Sequence, residues 1–122
     1  MRKYKIWQVV GADTDEALFR EFCFCSLGAV LRRHPECRFG ELPQLPREAW
    51  ECVYVYETEK EPSLDWLFAL FNRFKEAEPE APPTPEDFTG HSMSVSDIVE
   101  TPDGRLWYCD SFGWEEVTWQ SN

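Results

Sequence analysis

Polar and apolar residues alternate from Lys3 to Val10, with Tyr4, Ile6, Gln8 and Val10 on one side and Lys5, Trp7 and Val9 on the other. Side chains of a strand point alternately to its two faces, so this pattern predicts a strand buried on both faces toward its far end and closed by Gly11. The period then lengthens. Asp13 or Thr14, with Glu16 three positions after Asp13, is placed to cap a short helix over 15–22. Ser26 opens a second helix with Leu27, Val30 and Leu31 on one face; Arg32 and Arg33 complement its carboxyl end and Pro35 stops it. Helices this short have little stability of their own and need tertiary packing.

Residues 35–47 hold three prolines and little periodicity, which reads as a loop reaching Glu48. Cys52, Val53, Tyr54, Val55 and Tyr56 after Trp50 form the β-branched and aromatic run of a central strand. Pro62 and Ser63 open a helix running to about Lys75, whose stripe of Leu64, Leu67, Phe68, Phe71 and Phe74 is widened by Trp66 and Leu70. Four prolines and five acids make 76–87 an exposed, semi-extended connector. A hairpin follows, Met93 to Glu100 and Arg105 to Ser111 around Pro102-Asp103-Gly104. If Thr101 faces Arg105, Ser96 lies opposite Asp110 and Asp97 opposite Cys109. Phe112-Gly113-Trp114 then reads as a turn that folds aromatics back onto the sheet. Strands and helices mix without regular βαβ alternation, so the expected architecture is one α+β domain over 1–122: a small, mainly antiparallel sheet of about four strands, packed against two to three helices on one side.

Composition narrows the setting. Nine Phe, six Trp and four Tyr in 122 residues supply bulk for a core. No apolar run approaches a membrane span, the amino terminus lacks a signal core, and five cysteines without a Cys-x-x-Cys pair suit a reducing compartment, so a cytoplasmic location is expected. The net charge of −11 is unevenly spread: residues 76–122 carry 11 acids against Arg105 alone. Nucleic-acid binding needs clustered cations, so none is expected directly. An acidic face favours a partner with a basic surface, though net charge serves solubility equally well.

The segments Cys52-Val53-Tyr54, Leu64 to Phe74, Pro85-Glu86-Asp87-Phe88, Gly90-His91-Ser92-Met93-Ser94-Val95-Ser96-Asp97-Ile98-Val99 and Tyr108-Cys109-Asp110-Ser111-Phe112-Gly113-Trp114 occur in an order that resembles the YodL-like domain family of Firmicutes, their phages and mobile elements. Met93, Cys109 and Trp114 stand where that family usually has leucine, valine and phenylalanine. The resemblance implies no established enzymatic activity, and it implies company among the polyvalent and anti-defence proteins of mobile elements.

The same motif contains the ingredients of a thiol-dependent hydrolase: Cys109 as nucleophile, His91 as base, and Asp97 or Asp110 as orienting group. Cys109 and Asp110 are adjacent on a strand and face opposite sides, which breaks the grouping. There is no glycine-rich phosphate loop or nucleophile elbow, and no catalytic residue is assigned. Gly90, His91, Ser92, Ser94, Ser96, Asp97, Asp110, Ser111 and Gly113 are read as structural, fixing turns and strand ends by local hydrogen bonds. Cys23, Cys25, Cys37 and His34 lack the paired spacing of a zinc knuckle and read as core, with Cys23 and Cys25 on one strand face and Phe22 and Phe24 on the other. No metal or cofactor is expected.

Two binding readings remain. In one, Glu76, Glu78, Glu80, Glu86, Asp87, Glu115 and Glu116 present carboxylates to the basic groove of a nuclease, as an anti-CRISPR or anti-restriction inhibitor mimicking nucleic acid would. In the other, Trp107, Trp114 and Trp119 dock onto a host protein such as a cell-division or cell-shape component. The oligomeric state stays open.

Overall fold

The computed structural model describes residues 1–72 and 83–121. Strand β1 (Arg2–Val9) leads to helices α1 (Glu16–Phe22) and α2 (Leu27–Arg33), a 3₁₀ turn over Pro35–Arg38, and the short β2 (Gln44–Leu45). A second 3₁₀ turn (Arg47–Ala49) runs directly into β3 (Trp50–Thr58), followed by helix α3 (Leu64–Phe71). Strands β4 (Ile98–Glu100), β5 (Leu106–Asp110) and β6 (Gly113–Trp119) complete one sheet of order β2-β6-β5-β4-β1-β3. The fold is therefore α+β, with six strands where about four were expected.

The two additional strands have identifiable reasons. Within the proline-rich stretch, Thr118 N–H donates to Pro43 O and Gln120 N–H to Leu45 O, so β2 pairs in parallel with the end of β6 and makes the sheet mixed. A carbonyl is all that pairing asks of Pro43, which has no N–H to give. Strand β6 begins where an aromatic turn was expected: Gly113, at φ +97°, completes a tight reversal against Asp110, and the chain pairs with β5 as far as Val117. The preceding hairpin has the expected register, with Thr101 N–H bonded to Arg105 O and Ile98 opposite Tyr108. Its first strand is shorter than expected, since 93–97 is a turn and not a strand.

Helices cover both faces of the sheet, not one. Trp7, Val9, Ile98, Leu106, Tyr108 and Val117 pack beneath Phe22 of α1 and Leu27 and Val30 of α2. Tyr4, Ile6 and Val99 project to the other face, onto Leu67, Leu70 and Phe71 of α3 with Phe88 and Met93. The alternation in β1 is what divides these two cores. Strand β3 sits at the edge of the sheet, paired among the described residues with β1 alone, so its aromatic run is not central. Tyr54 and Tyr56 still reach the α3 core by edge-to-face contact with Phe71, which supplies the burial that made the run look interior.

The caps differ in one case. Asp15, not Asp13 or Thr14, caps α1 by accepting from Leu18 N–H, whereas Ser26 and Ser63 cap α2 and α3. Helix α3 ends at Phe71, with Asn72 already extended; Phe74, Lys75 and the acidic connector from Glu76 to residue 82 lie outside the described residues.

Candidate functional site

The motif residues meet at one end of the sheet, where β4 begins and β5 ends. Gln8, buried at the far end of β1, anchors this corner: its Nε2 donates to His91 O (2.8 Å) and to Asp97 Oδ2 (3.0 Å), and its Oε1 accepts from His91 N–H (3.2 Å). Gly90 lies against the same side chain. A Cβ there would stand 2.5 Å from Gln8 Oε1 and 2.8 Å from the Phe88 ring, so only glycine fits without displacement.

Asp97 has no exposed surface, and Ser94 N–H donates to its Oδ2 (3.0 Å) while Asp97 N–H donates to Ser94 O (3.1 Å). This reciprocal pair closes the turn that delivers the chain into β4. Its other oxygen, Oδ1, is buried without a hydrogen-bond partner among the described residues, as is Ser94 Oγ. Burial raises the carboxyl from 3.8 to about 8, against the lowering effect of its two bonds. His91 Nε2 stands 4.0 Å from Oδ1, and the imidazole is 40% exposed. His91 Nδ1 lies 2.8 Å from Ser92 O; a carbonyl can only accept, so this nitrogen carries the proton and Nε2 is left as an acceptor in the neutral ring.

Backbone strain collects at the same place. Ser96 at φ +87° and Phe24 at φ +61° occupy the left-handed region, which costs a residue with a side chain about 1–2 kcal/mol each. They hold one another, because Phe24 N–H donates to Ser96 Oγ (3.0 Å), and Trp50 Nε1–H donates to Ser96 O (2.8 Å). The result is that the Phe24 ring stands 60% exposed, 5.7 Å from the His91 ring. The α1–α2 corner thus turns Phe24 outward, where a strand face shared with Phe22 was expected. Asp110 Oδ1 accepts from Leu27 N–H (3.3 Å) and Ser111 N–H (2.8 Å), tying α2 to the β5–β6 turn. At the tip of that turn Phe112 is fully exposed (101%).

The thiols at this corner are poorly suited to attack. Burial, with a smaller contribution from Asp97, raises Cys23 to about 11 and Cys109 to about 12, so both stay protonated near neutrality. His91 and Asp97 do come together, but Asp97 meets the ring at Nε2, and Nδ1 is spent on Ser92 O. Among the described residues no three His, Cys, Asp or Glu side chains cluster to hold a metal. His34 instead contacts Glu21 (2.8 Å) and Glu36 (3.3 Å), and all five cysteines are free.

The residues expected to bind a partner are dispersed. Glu76, Glu78 and Glu80 lie outside the described residues. Glu86 and Asp87 are beside the β3 edge, where Asp87 accepts from Tyr54 O–H (2.9 Å). Glu115 and Glu116 are on β6, four strand spacings away, roughly 19 Å, and they project to opposite faces. Trp114 donates from Nε1 to Asp65 (3.0 Å), Trp119 packs edge-to-face on Trp7 (5.3 Å), and Trp107, opposite Val99, is half-buried. Trp114 and Trp119 are thus held in the packing of the sheet.

Over residues 3–119 the chain matches the family model of the YodL-like domain. It belongs to that family. No curated protein and no solved structure matches it. For this YodL-like domain the motif is largely an assembly of turns: Gly90, Asp97, Asp110 and Gly113 each serve a backbone contact or conformation that joins β1, α2 and the two hairpins. Gln8, Phe24 and Trp50 belong to the same constellation without standing in the motif; a glutamine in the apolar column of Tyr4, Ile6 and Val10 is the signal by which the first could have been found. No helix among the described residues is long and apolar enough to cross a membrane.

Proposed function

We propose that this YodL-like domain is a non-enzymatic, protein-binding inhibitor that contacts its target with the motif end of the sheet. The observation that carries this reading is the outward display of Phe24 and Phe112 at a corner where the backbone accepts strain to present one of them. Large aromatic side chains supply much of the energy of protein interfaces, and a fixed exposed ring loses little entropy on binding. Strain of this kind collects where function requires an unfavourable conformation. The mobile-element and anti-defence setting rests on the family resemblance, and a nuclease or restriction enzyme with a basic surface suits a chain of net charge −11. A cytoplasmic location belongs to the same reading, in keeping with five free cysteines. Broad mimicry of nucleic acid by the acids near the carboxyl end gains less support, given the separation of Glu86 and Asp87 from Glu115 and Glu116.

The test is capture of candidate nucleases and lysate proteins by the wild-type chain and by a Phe24→Ser, Phe112→Ser double variant. The reading expects a partner that the folded double variant loses at least tenfold, and that Cys109→Ala retains to within threefold. Equal capture by the double variant refutes the aromatic contact, and loss of effect on the thiol substitution alone returns the hydrolase alternative.

A further inference from the structure

We infer that the corner beneath His91 is a binding site for a primary ammonium group, and that its natural occupant is a lysine side chain of the protein partner. The identity of that occupant rests on the protein-binding reading above; the site itself does not.

Two polar atoms there, Asp97 Oδ1 and Ser94 Oγ, are buried with no hydrogen-bond partner among the described residues, which is unusual because burying such atoms unsatisfied is costly. Both belong to one turn, since Ser94 N–H already holds the neighbouring Oδ2. Above them His91 Nε2 is left as an acceptor by the bond that Nδ1 gives to Ser92 O. An ammonium carries three N–H donors and no acceptor. Two acceptors 4.0 Å apart, as His91 Nε2 and Asp97 Oδ1 are, can both lie about 2.9 Å from one nitrogen at an angle of roughly 90°, which suits two of those donors. Ser94 Oγ is the third acceptor at the turn.

The surroundings select the class of ligand. A structural zinc site takes four nitrogen, sulfur or carboxylate ligands, and this corner offers two. Calcium and magnesium need six or more oxygens. A guanidinium is wider and plane-forked, suited to both oxygens of a carboxylate, whereas here Oδ2 is already taken by Gln8 and Ser94. A lysine has a compact head on a flexible apolar stem, and the exposed Phe24 ring beside His91 offers a surface for that stem. The half-exposed imidazole is the cover: it swings aside to admit the nitrogen and closes back over it at the 4.0 Å spacing that lets both acceptors reach one ammonium. No Lys or Arg of the described chain makes an ion pair with Asp97. Burial, not a neighbouring charge, is what retains the carboxyl proton; His91 stands 4.0 Å from Oδ1, and the charge of Asp97 in turn adds to burial in raising Cys23, Cys109 and Tyr108, so an entering cation is the positive charge that displaces the proton.

The probe is n-butylammonium chloride, titrated into the ¹⁵N-labelled full chain at about pH 8.5, where an alkylammonium stays charged, with n-butanol and sodium chloride at matched concentrations as controls. Saturable amide shifts at Ser94, His91 and Phe24 are expected with a Kd on the order of 10 mM, absent with either control. They are expected to vanish in Asp97→Asn, whose amide keeps the turn, and to persist in Glu115→Gln, which removes an exposed carboxylate elsewhere. Shifts that follow butanol equally, that survive Asp97→Asn, or that never saturate overturn the site. Failure here leaves partner capture unaffected, and failure of partner capture leaves these shifts in place, so the two outcomes are separable.

Discussion

Replacing Asp97 by asparagine is expected to stabilise the protein at neutral and alkaline pH, although it alters a fully buried motif residue. The Asn carbonyl can accept from Ser94 N–H and Gln8 Nε2 in place of Oδ2, while its amide occupies the position of the unpartnered Oδ1, facing His91 Nε2. The energetic change comes from ionisation. In the folded chain the carboxyl titrates at about 8, raised from 3.8 by burial. A folded-state value above the unfolded one means that the folded state keeps a proton the unfolded state has released. That contribution is complete below about pH 4 and is lost progressively as pH rises to about 8. The rise from 3.8 to about 8, at about 1.4 kcal/mol for each factor of ten in proton affinity, sets a ceiling of about 6 kcal/mol; relaxation of the turn and entry of water reduce it to about 2–3 kcal/mol. Urea unfolding of wild type and Asp97→Asn between about pH 4.5 and 8.5 measures the difference, in which the other carboxylates cancel. The two proteins are expected to lie within about 1 kcal/mol of each other at the acid end and to diverge by about 2–3 kcal/mol in favour of the variant at the alkaline end. A difference independent of pH, or one that favours the wild type more strongly as pH rises, would refute the assignment of a neutral buried carboxyl.

Gly90→Ala is expected to cost about 1–3 kcal/mol by urea unfolding, because its Cβ would meet Gln8 Oε1 at 2.5 Å and the Phe88 ring at 2.8 Å. Tyr108→Phe, which removes the 2.6 Å bond to Cys25 O and leaves that carbonyl short of a donor, is expected to cost about 1–2 kcal/mol in the same assay. Phe112→Ser is expected to change stability by less than about 0.5 kcal/mol, since the ring is fully exposed, while weakening partner capture. Native thiol labelling with a disulfide reagent is expected to modify Cys52 first, since it is exposed, and Cys37 and Cys109 last, since they are buried and raised above the ordinary thiol range. Fast labelling of Cys109 would contradict its packing.

Local signals carried far along this chain, and they failed where long-range pairing decided the outcome. The Lys3–Val10 alternation, the Ser26 and Ser63 caps and the Thr101–Arg105 register depend on neighbours within a few residues, and each recurs in the structure. Strand β2 is two residues long inside a proline-rich stretch and exists because β6, some seventy positions later, offers it an edge. No window around Gln44 contains that information. The edge position of β3 is equally remote: Tyr54 and Tyr56 have the composition of an interior strand because α3 and Phe88 cover their face, which says nothing about what lies beside the strand. At the motif, serines and aspartates are the residue types of local hydrogen-bonded turns, but the turn's anchor is Gln8, more than eighty residues earlier. Phe24 was concealed by its residue type, since an aromatic between two cysteines reads as core unless the left-handed backbone that everts it is known.

The cost of this corner can be set against what it holds in place. Two residues with side chains occupy left-handed backbone and two buried oxygens lack partners among the described residues, so the region gives up stability that simpler choices would retain. Glycine at position 24 would relieve one strain without touching a core residue, and asparagine at 97 would quiet one oxygen. What both would forfeit is specific: an exposed ring fixed at 5.7 Å from an exposed imidazole, above a buried carboxyl oxygen that has no hydrogen-bond partner among the described residues. Packing needs none of these, because the core beneath is complete in Ile98, Tyr108, Leu27 and Val30. A combined Phe24→Gly, Asp97→Asn variant is therefore expected to be at least as stable as the wild type near pH 8 and to lose both partner capture and the ammonium-induced shifts. Retention of both by that more stable protein would mean that the strain is incidental and that the contact surface lies elsewhere on the molecule.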